Sequence, residues 1–108
     1  MSGITTHVLD TSRGRPAAGV GITLERQSSD GFRKISERAT NSDGRVPDLM
    51  PEPLEAGLYR LTFETGKYYD GAGFYPEVRI MFEIKDPTQH YHVPLLLSPF
   101  GYSTYRGS

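Results

Sequence analysis

Cysteine is absent from this chain of 108 residues. That one absence excludes a disulfide scaffold, cysteine-ligated zinc and a thiol nucleophile. Runs of like charge are also missing, and the formal net charge is −1. A partner gripped by a basic face, such as nucleic acid or an anionic membrane, is therefore not expected. No stretch approaches the roughly 20 apolar residues needed to cross a bilayer. The opening residues, Met1 to Thr6, lack the basic start and apolar run of a secretory signal, so a soluble cytoplasmic protein is expected. Internal repeats, linkers and low-complexity tracts are lacking too, and one domain over residues 1–108 is the expectation. A domain of this size buries about two-thirds of its unfolded surface, enough for a core without metal or disulfide support. The glycines at 71 and 73 fit no phosphate-binding loop, and no Ser-His-Asp order or nucleophile elbow is present.

What the chain does contain is short alternating segments punctuated by turns, the pattern of an all-β sandwich or barrel. Ile4 to Asp10 reads as a first strand, with Ile4, Thr6, Val8 and Asp10 on one face and Thr5, His7 and Leu9 on the other. Thr11 to Ala18 reads as a loop. Gly19 to Gln27 and Phe32 to Thr40 flank Asp30-Gly31, a hairpin signal because that pair supports positive φ. A second turn, Asp43-Gly44, leads into Arg45 and a short segment near Val46, and prolines at 47, 51 and 53 keep the following stretch irregular. Gly57 to Thr65 and Glu77 to Lys85 are well-patterned strands. Between them Thr65 is placed to cap a short helix running to Asp70, ended by Gly71 and Gly73. The closing stretch, residues 90–108, gives one more strand, a Ser98-Pro99-Phe100-Gly101 turn and a segment from Tyr102 to Arg106. The total is about eight strands and one helix. Most chains end in loose polar residues, whereas aromatics and an arginine close this one, which points to a docked tail.

The chemistry-bearing residues gather at the two ends. His90 and His92 share a strand face with Pro94 and Leu96, and His7 lies between Thr5 and Leu9 on the first strand. A strand histidine most often has a structural role, and pattern alone does not decide the matter for these two. Three imidazoles could also surround zinc with an open position for water, but no acidic residue lies near enough in sequence to orient them. Arg45 reads equally as an exposed residue after a turn, and Arg106 and Ser108 as a solvated pair. Asp43-Gly44 has one fragment of a calcium loop without its other acidic positions.

The terminal Tyr105-Arg106-Gly107-Ser108 resembles the signature of the 5-hydroxyisourate hydrolases, members of the transthyretin-like family. The block from His90-Tyr91-His92 through Val93-Pro94 to Ser98-Pro99 is similar to that family's other hallmark. Thr6-His7-Val8-Leu9-Asp10, Asp43-Gly44-Arg45 and Phe74-Tyr75-Pro76-Glu77-Val78 resemble its remaining blocks, in order along the chain. The resemblance implies an all-β, transthyretin-like (prealbumin-like) sandwich of two four-stranded sheets with one short helix. It implies a homotetramer with active sites at the dimer–dimer interface, with one face of the end strands lining a channel. The implied activity is hydrolysis of 5-hydroxyisourate to 2-oxo-4-hydroxy-4-carboxy-5-ureidoimidazoline in urate degradation, without metal or organic cofactor. The implied catalytic residues are His7, Arg45, His92 and Ser108, with His7, Arg45 and Tyr105 binding substrate and His90 in a supporting role. The alternative within the same family is a small-ligand carrier without catalysis, as in transthyretin, which lacks the Tyr-Arg-Gly-Ser ending.

Overall fold

The alternation in Ile4 to Asp10 survives in three dimensions. In the computed structural model, which describes residues 3–107, Ile4, Thr6, Val8 and Asp10 are buried while Thr5, His7 and Leu9 are half-buried. The predicted strand is split into β1 (Ile4–Thr5) and β2 (Val8–Asp10), and the closing strand is likewise split into β8 (Tyr91–His92) and β9 (Leu95–Ser98). The two pairs run parallel in one register: Thr5 faces His92 and Val8 faces Leu95. Between them the Val93 N–H donates to the Thr5 carbonyl and the Leu95 N–H to the His7 carbonyl, so the ladder never loses its frame.

One sheet has the order β10-β9-β2-β3, where β3 is Arg15–Pro16 and β10 is Gly101–Thr104. The β3 pair falls in what the sequence reads as a loop. Its Pro16 has no N–H to donate, and it sits on the sheet's edge, where a proline is tolerated. The other sheet is antiparallel and ordered β5-β4-β6-β7, from β4 (Gly21–Ser28), β5 (Gly31–Ala39), β6 (Gly57–Phe63) and β7 (Val78–Ile84). The structure thus has the two four-stranded sheets of a transthyretin-like sandwich, with β1 and β8 extending one of them. The short strand expected near Val46 does not form; Arg45 makes only an isolated bridge to His7.

The core lies between the sheets. Ile22, Leu24, Tyr59, Leu61 and Phe63 from one layer meet Ile4, Val8, Leu95 and Leu97 from the other, all almost fully buried. Each side chain of this size contributes about 1.5–3 kcal/mol through burial. The single helix among the described residues, α1 (Thr65–Tyr68), is shorter than the sequence suggests. Glu64, not Thr65, stands at its N-cap position, and the Thr65 hydroxyl instead donates to the Tyr75 carbonyl at 2.7 Å. Asp70 and Gly71 both take positive φ, which stops the helix before Asp70. No helix among the described residues is long and apolar enough to cross a membrane.

Candidate active site

Because β1–β2 and β8–β9 run parallel in one register, the outward faces of the two strands coincide. Thr5 and His7 on one therefore stand beside His90 and His92 on the other, opposite the face that carries Ile4, Val8, Tyr91 and Val93 into the core. His7 and His92 are each half-buried, and His90 is exposed.

Arg45 is delivered to this face by a tight loop. The Asn41 side-chain carbonyl accepts the backbone N–H groups of Asp43 (2.9 Å) and Arg45 (3.1 Å), and the Asn41 N–H donates to the Arg45 carbonyl at 2.8 Å. Gly44 lets that loop press onto β2. Its carbonyl accepts the Val8 N–H at 2.8 Å, its φ is +74°, and a Cβ there would lie 2.4 Å from the Val8 carbonyl oxygen. Only glycine fits both demands. The next residue, Arg45, then bridges directly to His7. A cavity of about 320 Å³ opens beside it, lined by Thr5, Thr6, Asn41, Arg45, Val46 and Pro47.

The tail closes the other side. Leu95 faces Thr104 and His92 faces Gly107, so the tail continues the β10 register beyond the strand's formal end. Pro94 has no N–H to offer in the intervening rung, and the Thr104 hydroxyl donates to its carbonyl at 2.7 Å instead. The Gly107 N–H donates to the His92 carbonyl at 2.8 Å. A Cβ on Gly107 would stand 2.6 Å from His92 Cδ2, so the backbone lies directly on the imidazole. Arg106 does not turn into the site. Its guanidinium lies over the Tyr91 ring at 4.4 Å and donates to the Gln89 side-chain oxygen at 2.8 Å, fastening the tail.

Electrostatics follow from this crowding of cations. Burial pushes the His92 imidazole below its ordinary range, and the positive charges of Arg45, His7 and His90 push the same way. His92 therefore keeps a neutral ring, competent as a base, at pH values where a free imidazole is partly protonated. Its Nδ1 is held at 2.8 Å by the Thr5 hydroxyl, which also contacts His90 Nε2 at 2.9 Å. That leaves Nε2 as the His92 nitrogen for chemistry.

His7, Arg45 and His92 are thus brought together within a single chain. Tyr105 is not with them. It lines a separate cavity of about 240 Å³ bounded by Ile80, Phe82, Tyr91 and Val93. Ser108 lies outside the described residues. No group of three or more His, Cys, Asp or Glu among the described residues is disposed to hold a metal. The sequence reading missed Thr5 and Asn41. Asn41, two residues ahead of an Asp-Gly turn, carries a usable signal, since asparagine commonly accepts backbone N–H groups two residues on. Thr5 carries none, because its partners lie more than 80 residues away.

Comparison with known proteins places the sequence and the fold in one family. The HIUase/Transthyretin family description matches residues 4–107. The chain is 44% identical over 109 residues to a Salmonella dublin 5-hydroxyisourate hydrolase, covering 97% of this chain and 80% of that protein. It superposes on the Klebsiella pneumoniae 5-hydroxyisourate hydrolase with a TM-score of 0.86 at 40% identity, covering 100% of this chain and 94% of that one. With Sparus aurata transthyretin the TM-score is 0.91 at 28% identity, covering 99% and 97%. An (S)-allantoin synthase superposes at 0.88 with 39% identity, covering 97% of this chain but only 43% of the longer synthase. By its full-length match and by the residues that meet beside β2, the chain belongs to the HIUase/Transthyretin family.

Proposed function

We propose that this chain hydrolyses 5-hydroxyisourate to 2-oxo-4-hydroxy-4-carboxy-5-ureidoimidazoline, a step of urate degradation. The observation that carries the reading is the meeting of two imidazoles and a guanidinium on one sheet face. The relatives of similar length named 5-hydroxyisourate hydrolase support it. Opening a cyclic amide with water needs a base for the water, a cation for the developing oxyanion and a proton for the leaving nitrogen. His92, kept neutral by its surroundings, takes the water proton, and His7 shares the proton traffic. Arg45 stays protonated and stabilises negative charge on the substrate and oxyanion. The family resemblance also gives a catalytic role to Ser108, which lies outside the described residues. The reading needs neither metal nor organic cofactor.

The same reading includes a homotetramer with active sites at the dimer–dimer interface. Two of the edge strands, β7 and β10, expose Met81 and Tyr102, with Tyr105 just beyond, which supports edge-strand pairing between copies. Tyr105, turned away from His92 in its own chain, would bind substrate only in such an assembled site.

The likeness to transthyretin favours a second reading, a small-ligand carrier. Urate oxidase separates the two. It generates 5-hydroxyisourate, whose decay is followed spectrophotometrically. A hydrolase accelerates that decay catalytically; a carrier leaves it at the spontaneous rate and binds an apolar aromatic ligand.

A further inference from the structure

We propose that the Thr5 hydroxyl and the His90 imidazole form a proton relay that carries the proton taken up at His92 to the exposed His90 and back. The inference rests on the hydrolase reading above and assigns a role to two residues that reading leaves idle.

The geometry is a three-member chain. Thr5 Oγ1 lies 2.8 Å from His92 Nδ1 and 2.9 Å from His90 Nε2. A hydroxyl has one hydrogen to donate, so it cannot donate to both rings. When it donates to His90 it accepts from His92, and the reverse holds for the other state. The two tautomers are therefore locked together. Thr5 and His90 line different spaces. Thr5 lines the cavity that holds Arg45, whereas exposed His90 lines a separate cleft of about 280 Å³ with Gly3, Glu52, Thr88 and Gln89. Thr5 thus links the Arg45 cavity to the cleft at His90.

Charge distribution gives the relay a direction. A proton retained on His92 would face Arg45 from the 41–45 loop, His7 from the β1–β2 strand and His90 on its own strand, in a half-buried place. A proton on His90 faces the Arg106 guanidinium, which reaches the His90 carbonyl at 3.4 Å. It also shares its open cleft with the Glu52 carboxylate, which is paired with Arg33. The positive charge is therefore less costly at His90.

The steps balance. Water attacks the ring carbonyl: the C–O bond forms, the carbonyl electron pair moves to oxygen beside Arg45, and one water proton moves to His92 Nε2. His92 Nδ1 passes its proton to Thr5 Oγ1 as Thr5 passes its own to His90 Nε2. His90 becomes an imidazolium, and His92 is neutral with its proton on Nε2. On collapse the C–N bond breaks, and its electron pair goes to the leaving nitrogen, which takes the His92 Nε2 proton. Nδ1 is refilled from His90 through Thr5. The acid product then ionises and releases one proton to solvent.

Three variants of the full chain test this. Thr5→Val removes the hydroxyl while keeping the branched shape. We expect kcat to fall about 10²-fold, the lower end of a general acid–base contribution, with KM little changed. Thr5→Ser restores most of kcat. His90→Ala, at an exposed position, loses a similar factor and regains turnover as imidazole is added, whereas imidazole does not rescue Thr5→Val. Wild-type kcat in both Thr5→Val and His90→Ala between pH 6 and 8 would overturn the relay while leaving the hydrolase reading intact. Loss of 5-hydroxyisourate no faster with wild type than without it overturns the hydrolase reading instead. A readout that needs no turnover is the ¹⁵N spectrum of the two rings. Their titrations are coupled in the wild type and uncoupled in Thr5→Val; identical spectra in the two proteins count against the relay.

Discussion

The strand from Ile4 to Asp10 carries a polar cluster at each end, and the two are built on opposite rules. At the Asp10 end the carboxylate is fully buried. It accepts the Ser12 hydroxyl (2.6 Å), the backbone N–H groups of Ser12 and Arg13, and the Tyr68 hydroxyl (2.8 Å), with the Arg13 guanidinium 3.6 Å away. Burial pushes its pKa up, but the hydrogen bonds from Ser12, Tyr68 and Arg13 outweigh it and hold the carboxyl below its ordinary range. Tyr69, buried beside that charge, is pushed up to about 12. At the Thr5–His7 end no carboxylate offsets the cations around His92. Three imidazoles and a guanidinium share one half-open face; burial, Arg45, His7 and His90 each make protonation of His92 harder. The satisfied cluster ties α1 to β2 and stabilises the fold. The unbalanced one keeps the His92 ring unprotonated and so available as a base, and a perturbed group of this kind is the usual signature of a functional site.

Substitutions at the two ends should therefore move different observables. The largest effect belongs to His7→Ala, Arg45→Ala and His92→Ala: each should lose about 10²–10³ in turnover. Far-ultraviolet dichroism should stay unchanged, because these side chains lie outside the core. Asp10→Ala should do the reverse. Leaving the Tyr68 and Ser12 donors without their acceptor should lower unfolding free energy by about 3 kcal/mol in urea, with turnover per folded chain near normal. The sign of its pH dependence follows from the depressed carboxyl. Its stabilisation is fully present above the unfolded carboxylate pKa of about 3.9 and is lost as pH falls through the lower native value.

Between these extremes lie the two glycines that shape the site. Gly44→Ala meets both a positive φ and the Val8 carbonyl, and should cost about 1–3 kcal/mol and displace Arg45. Gly107→Ala should spare stability, yet slow turnover about 10-fold by pushing the His92 ring aside. The smallest effect is a pH shift. Arg45→Gln removes one of the charges that disfavour protonation of His92, so the acid limb of its residual kcat/KM should move to higher pH. An unmoved limb would mean that His92 is not the group observed.

How much of this was legible in the sequence follows from where each contact is made. Period-2 alternation separates the two faces of each end strand, but a common outward face for His7 and His92 comes only from the family resemblance and the parallel pairing. The parallel pairing that makes those faces adjacent joins residues some 87 apart, so only the family resemblance brought Arg45 and the two histidines together. The helix was misjudged at both ends. Thr65 looked like a cap, but its hydroxyl is taken by Tyr75 from a later loop, and Asp70 turns left-handed. The proline at 94 sits inside the closing strand and splits its pairing without breaking its register. Thr5 left no mark in the pattern, since a threonine on a half-buried strand face is ordinary.

The comparison is tested most directly by one paired measurement on His92→Ala and wild type: the rate of 5-hydroxyisourate decay per folded chain, with the urea midpoint taken on the same samples. The account predicts decay about 10²–10³-fold slower in the variant at an unfolding midpoint close to that of the wild type. Wild-type decay in the variant, or a rate lost only in proportion to unfolded protein, would contradict it.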